Sequence, residues 1–462
     1  MNEEISDSRL KTFWQKWLHK HPEYHLPNLK FCGARVIKQL GSMPGVFVVK
    51  DKNSSETKFF GNTSCHSAWA CPKCTAEVMA KKAKQIAAAI DALKKQQNQD
   101  AIMITFTIPH NKNISCQESY EIFLAVWRKF TKGGLRSHHS NGKYILKNDK
   151  GVRGKKGGAL GVGKAGEVRI YKKGRNPYGA FREELQITHN VRVFEFTYGE
   201  NSWHPHIHAL FWVPHKNFNK VLNYEQELLD RWWHCIKTVT KQYWTKKLPP
   251  EKLNNFLEKT YADYKKTTAD GHKSLYISRD KDNKLRKISS SWYIAGWGGD
   301  KEVSGLRQKE AHGKNMTPYQ IILKAYTTKD PEEKETYLKL YAHYAQTTYK
   351  HRRCQFSETG ITKIIKEWLR TQEYTETYKK KLTDKEKNWE VVYWFTEKQW
   401  YAISLEEMRT GHYIRDDILL LARAPDAEKH IKLFLETYDI HTNNNEHTDK
   451  IFVENYLNHK TA

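Results

Sequence analysis

The stretch from Val191 to Val213, VRVFEFTYGENSWHPHIHALFWV, leaves the chain few ways to fold. β-branched and aromatic residues from Val191 to Tyr198 favour a strand. Gly199-Glu200-Asn201-Ser202 is turn chemistry, and Trp203 to Val213 reads as the return strand. Side chains alternate across a strand, so His204, His206 and His208 share one face. A two- or four-residue loop centred on Glu200-Asn201 makes paired residue numbers sum to 401. Glu195 then lies opposite His206, about 5 Å away between Cβ atoms. A three-residue loop would shift the register by one and remove Glu195 from that face. One carboxylate and two imidazoles, with positions left open, suit a divalent ion that also binds a phosphate oxygen. Glu195, His206 and His208 are the expected ligands and His204 a possible one. The plain alternative is a half-buried strand carrying surface histidines.

A second metal signal stands nearer the start. CHSAWACPKC contains Cys71 and Cys74 at knuckle spacing, with Cys65 six positions earlier. A tetrahedral site needs a fourth ligand. Cys32, followed by the turn-forming Gly33, is the best candidate, and His66 is the fallback. Four protein ligands leave no open position, so the expected Zn²⁺ is structural. Three buried thiols or a redox pair are the competing readings. A redox CxxC would normally open a helix after a strand, and it would leave Cys65 unexplained.

The rest of the chain frames these two sites. Leu10 to Leu18 is amphipathic. Gly45 to Lys50 and Lys58 to Gly61 read as strands. Thr75 to Gln97 is a long helix with an apolar face at Val78, Met79, Ile86, Ile90 and Leu93, its lysines on a solvated face. AIMITFTIP, from Ala101 to Pro109, reads as a buried central strand. Helices follow at Glu118 to Lys132 and Tyr224 to Trp244, with a further strand at Lys273 to Arg279. Between them, residues 132–176 form a basic, Gly-rich stretch expected to be a long loop. Its Arg153, Lys155, Lys156 and Lys164 are candidate DNA contacts. GALGVGKA within it only approximates a phosphate loop, because Ala165 replaces the hydroxyl residue. SSSWYIAGWGGD is expected to hold a short helix from Trp292 to Trp297, putting Tyr293 and Trp297 one turn apart. Beyond Asn315 helices dominate, at Tyr319 to Tyr326, Glu332 to Tyr349 and Gly360 to Glu373, with a strand at VVYWF.

Composition narrows the partner. The net charge is +26, and 15 Trp and 25 Tyr accompany it. A basic chain rich in stacking side chains points to a polyanion, above all nucleic acid. An odd cysteine count of 7 with a tight cluster favours a reducing compartment over disulfides. No apolar run of membrane-spanning length occurs, and the first ten residues are acidic and polar, so a cytoplasmic location without membrane attachment is expected.

With HPHIHAL and WYIAGWGGD both in view, the chain resembles the rolling-circle replication initiators of plasmids and phages, within the HUH endonuclease superfamily. Cys32-Gly33 and CHSAWACPKC are similar to the amino-terminal cysteine motif of one plasmid group, and AIMITFTIP to its first strand. FEFTYGENSWHPHIHALFW is similar to the metal hairpin, WYIAGWGGD to the tyrosine helix, and HGKNMTPYQII and HRRCQFSETGI to the tail. The likeness runs over residues 31–365.

It implies an α+β fold: an antiparallel HUH-type sheet of four or five strands with flanking helices, the metal histidines on a central strand. It also implies that Tyr293 attacks a phosphodiester of single-stranded or extruded origin DNA with Mg²⁺ or Mn²⁺ present. The product is a 5′-phosphotyrosine and a 3′-OH primer. Host helicase, DNA polymerase and single-strand-binding protein are the implied partners. Two departures stand out. Many relatives carry a lysine where this chain has Gly296. Some carry a second tyrosine where it has Trp297, here a candidate DNA contact, so the chain is of one-tyrosine type.

Rival readings are a rolling-circle transposase of the same superfamily and a non-catalytic origin-binding protein. A conjugative relaxase and a hydrolase of small phosphoesters stand further off. The expected organisation is a zinc-knuckle region and helix over 1–100, a nicking and joining domain over 101–318, and a mostly helical region over 319–462.

Overall fold

A computed structural model of the chain describes residues 6–36, 45–132, 137–140, 143–146, 177–268, 274–291, 315–349, 356–370 and 388–440. The described residues form these strands in chain order: β1 (Gly45–Asp51), β2 (Thr57–Phe60), β3 (Gln99–Thr107), β4 (Ser137–Ser140), β5 (Lys143–Leu146), β6 (Asn190–Gly199), β7 (Ser202–Pro214), β8 (Leu275–Ile277), β9 (Phe356–Thr359) and β10 (Trp389–Thr396). The first helices are α1 (Asp7–Lys20), α2 (Pro27–Lys30), α3 (Pro72–Gln97) and α4 (Cys116–Lys132). The fold is α+β, and every strand pair is antiparallel.

The larger sheet has five strands in the order β8-β3-β7-β6-β9, which puts β7 in the middle. Its two faces differ. On one, Ile104, Phe106, Phe194, Phe196, Ile207 and Phe211 are buried in the main core. Phe123 and Phe130 of α4 and Trp232 of the helix Glu225–Trp244 meet them edge to face. Trp232 also donates its indole N–H to the Thr107 carbonyl at 2.8 Å, so the largest side chain in this layer leaves no polar atom stranded. On the other face the far half is apolar. Val191, Val193, Leu210, Trp212 and Ala101 pack under Ile86, Ile90 and Leu93 of α3 and under Ile361 and Trp368 of the helix Ile361–Arg370. The near half of that face is polar and carries the histidines.

A three-stranded sheet in the order β10-β1-β2 joins the two ends of the chain. The VVYWF strand, read as part of a separate C-terminal segment, pairs along the length of β1, from Gly45 opposite Thr396 to Asp51 opposite Trp389. Val46, Val48, Phe395, Trp400, Ile414 and Ile431 make the core beneath it. Residues 132–176 were expected to be one loop. The described residues within it, β4 and β5, instead pair as a short hairpin, with Ser137 opposite Leu146. The GALGVGKA stretch lies outside the described residues.

The C-terminal helices Glu397–Thr410 and Ile414–Leu421 are locked to each other by charge as well as by packing. Glu407 is 1% exposed and accepts from the Arg415 backbone N–H at 2.7 Å and from its Nε at 2.6 Å. Removing one member of such a pair strands the other charge in a low dielectric. Glu407→Ala is therefore expected to destabilise the protein by about 3–5 kcal/mol, whereas the exposed Lys363→Ala should change stability by under about 0.5 kcal/mol. Urea denaturation followed by tryptophan fluorescence checks both.

Candidate metal centres

The cysteine cluster is assembled from three pieces of chain. Cys32 sits in the turn after α2, Cys65 in the loop after β2, and Cys71 and Cys74 at the start of α3. Pro72 opens that helix at the position where a missing N–H costs nothing. All four thiols are buried and free of disulfides, and their sulfurs lie within 4.8 Å of one another. Cys32 Sγ is 3.5 Å from Cys74 Sγ and 3.8 Å from Cys71 Sγ. A tetrahedral ion at the usual Zn–S length separates its sulfurs by about 3.8 Å, so the donor set fits Zn²⁺.

Backbone N–H groups of Cys65 and Ser67 point at Cys32 Sγ and Cys65 Sγ, at 3.3 and 3.4 Å, and favour negative sulfur there. Hydrogen bonds from Cys65, Cys71 and Cys74 hold the Cys32 thiol far below its ordinary value, and the same bonds push Cys65 and Cys71 up. Cys32 rather than His66 supplies the fourth ligand.

The second centre stands on the polar half of the large sheet. The turn has two residues: Gly199 pairs with Ser202 and Glu195 with His206. Glu195, His206 and His208 therefore share a face, and one ligand atom from each lies within 4.8 Å of the others. His206 Nε2 is 3.0 Å and His208 Nε2 3.4 Å from Glu195 Oε2. Their side chains are 13%, 14% and 19% exposed, enough for a small ion and one substrate group to reach them. The trio can hold a metal ion with positions left over.

The structure adds residues that the sequence reading passed over. Thr105 of β3 pairs with His208, and its Oγ1 is 2.9 Å from His208 Nδ1. That bond turns Nε2 toward Glu195, as supporting partners of metal-bound imidazoles commonly do. Tyr276 of β8 pairs with Thr105 from the other side, so it also faces the trio. Burial raises the Tyr276 phenol above its ordinary value, and the negative charge of Glu195 adds to this. A hydrogen bond from Thr105 acts the other way. The phenol is therefore protonated at neutral pH.

The signal for Thr105 was present in AIMITFTIP, where Thr105 and Thr107 fall on one face of an otherwise apolar strand. Tyr276 carried no such signal, since strand order cannot be read from a single short strand. His204 shares the face but stands outside the trio. Its ring meets His110 at 4.6 Å and His206 at 5.7 Å, edge to face in both cases. Burial pushes His110 down to about 4, so that ring is neutral. Tyr293, Trp297, Arg153, Lys155, Lys156 and Lys164 lie outside the described residues.

No family model, no curated protein and no solved structure matches this chain. Among the described residues no helix is long and apolar enough to cross a membrane.

Two outcomes follow from the geometry. Cys71→Ser is expected to abolish zinc retention through dialysis and to lower the melting temperature, because the metal's binding energy is folding energy. Elemental analysis beside a thermal melt reads both. Thr105→Val should weaken Mn²⁺ binding by about 10- to 100-fold while leaving zinc content unchanged, and isothermal titration calorimetry on the zinc-loaded protein checks it.

Proposed function

We propose that this chain is a metal-dependent DNA nicking and joining enzyme of the rolling-circle initiator kind, with Tyr293 as its nucleophile. The observation that carries this reading is the convergence of Glu195, His206 and His208 on the open half of the central sheet. Glu195, His206 and His208 would hold a divalent ion there, which would supply a Lewis acid for a phosphodiester oxygen. Two nitrogen donors beside a single carboxylate favour Mn²⁺ over Mg²⁺, which prefers oxygen and holds its waters tightly.

The chain's own residues do the rest. Glu195 accepts, and the two imidazoles, held by cross-strand pairing and by Thr105, keep their Nε2 atoms on one point. The Tyr293 oxygen attacks phosphorus, the P–O3′ bond breaks, and the phenolic proton passes through solvent to the departing 3′ oxygen. One P–O ester replaces another, so the reverse step rejoins the strand without ATP. The chain on either side of Tyr293 is tied to the large sheet. Ile288 bridges to Ala101 at one end of the sheet, and Met316 bridges to Tyr198 at the other.

The charge of +26 suits a single-stranded or extruded DNA substrate. Host helicase, polymerase and single-strand-binding protein are the partners this reaction requires. The Cys32-Cys65-Cys71-Cys74 centre is structural Zn²⁺ in this reading, and the protein works in the cytoplasm.

The test uses supercoiled plasmid carrying the chain's own replicon, with a random single-stranded library in parallel. Wild type is expected to nick with Mn²⁺ and not with EDTA, leaving protein bound to the 5′ end on denaturing gels. Tyr293→Phe should form no adduct. His206→Ala should slow nicking by at least about a hundredfold. An adduct retained in Tyr293→Phe would show that another group attacks. DNA binding without nicking under any metal would favour an origin-binding protein.

A further inference from the structure

The described residues expose five large apolar or aromatic side chains: Tyr276, Tyr401, Leu405, Leu420 and Leu433. Tyr401, Leu405, Leu420 and Leu433 belong to the C-terminal segment beyond β10. Tyr276 alone among them stands on the large sheet, 41% exposed, on the metal face. Pairing runs across three strands from Tyr276 through Thr105 to His208. Two strand spacings, about 10 Å, separate the Tyr276 and His208 backbones. The Thr105 hydroxyl lies between them, 2.9 Å from His208 Nδ1.

We propose that Tyr276 forms a nucleotide subsite beside the metal centre, its ring supporting a base and its O–H donating to a phosphate or sugar oxygen of single-stranded nucleic acid. This rests on the nicking reading for the identity of the substrate. The neighbouring groups fit the role. An aromatic face left open next to a cation site is a stacking platform, and stacking tolerates any base. β8 is the edge strand of the sheet among the described residues, so Tyr276 stands at its margin on the face of the trio. Tyr276 is a positioning residue here, distinct from the nucleophile.

The experiment measures binding of a fluorescent single-stranded oligonucleotide by the full-length protein in Ca²⁺, together with Mn²⁺-dependent cleavage kinetics. Tyr276→Ala is expected to weaken binding roughly tenfold or more and to raise KM by a similar factor with kcat little changed. Tyr276→Phe keeps the ring and should stay within about threefold of wild type in binding. Zinc content and the thermal melt of both variants should match wild type, since the side chain is exposed.

Unchanged binding and KM in Tyr276→Ala, with wild type cleaving normally, would overturn the subsite and leave the nicking reading intact. Loss of the covalent adduct in Tyr276→Phe would overturn the positioning role and make this phenol the nucleophile. Wild type that binds but never cleaves, with Tyr276→Ala still weakened, would sink the nicking reading and keep the subsite. Wild type that binds no oligonucleotide would overturn both.

Discussion

The β6–β7 pairing, with Glu195 opposite His206, is the constraint on which the rest depends. Its register is held from both ends. At the tip, Tyr198 and Met316 exchange two backbone hydrogen bonds, at 2.8 and 2.7 Å. Ser202, the first residue after the turn, takes the left-handed backbone at φ 74°. Along the strands, Phe194, Phe196 and Ile207 alternate with Glu195, His206 and His208. A slip of one residue would turn three large apolar side chains to solvent, at about 1.5–3 kcal/mol each. It would also drive a carboxylate and two imidazoles into the main core, where an unpaired charge costs several kcal/mol more. The same alternation that makes a core on one face makes a ligand set on the other.

The face carrying that ligand set is divided along its length. Leu210 and Trp212 continue the row of His204, His206 and His208, but α3 and the helix Ile361–Arg370 cover them. The covering stops where the polar residues begin. Helix α3 starts at the cysteine cluster and runs onto the sheet, so the zinc-type centre sets where that cover is anchored. The cluster also reaches the end of the chain. The Gly33 carbonyl, next to Cys32, accepts from Trp400 Nε1 at 2.8 Å. Gly33 has φ 80°, and a Cβ there would stand 3.2 Å from Lys11 Nζ and 3.3 Å from an Arg415 nitrogen. A turn of this shape, packed this closely, admits only glycine comfortably. The cysteine cluster therefore ties together the N-terminal turn, the C-terminal helices and the roof over half the sheet.

Much of the site was legible because it is written in short-range patterns. The two-residue turn, the alternating histidines and the strand AIMITFTIP specify which residues share a face without knowledge of any other element. The knuckle spacing of Cys71 and Cys74 marks a metal site in the same local way. Cys32 was harder, since it lies 33 residues before Cys65 and only a following glycine marked it. Thr105 and Tyr276 became partners of His208 only through strand order, which depends on which hydrophobic faces find each other. The pairing of β1 with β10 joins residues more than 300 positions apart and left no trace in either segment's periodicity.

The sequence by itself determined the hairpin, the alternation of faces along its strands and the residue types of two candidate ligand sets. The hairpin and its faces follow from backbone periodicity and turn chemistry within about twenty residues. Only the tertiary structure decided that β7 is the central strand, that α3 covers one half of its face and leaves the other open, and that the chain's two ends close one sheet. Those outcomes come from burying apolar area between segments distant in sequence, a gain that is non-directional and does not announce its partner locally.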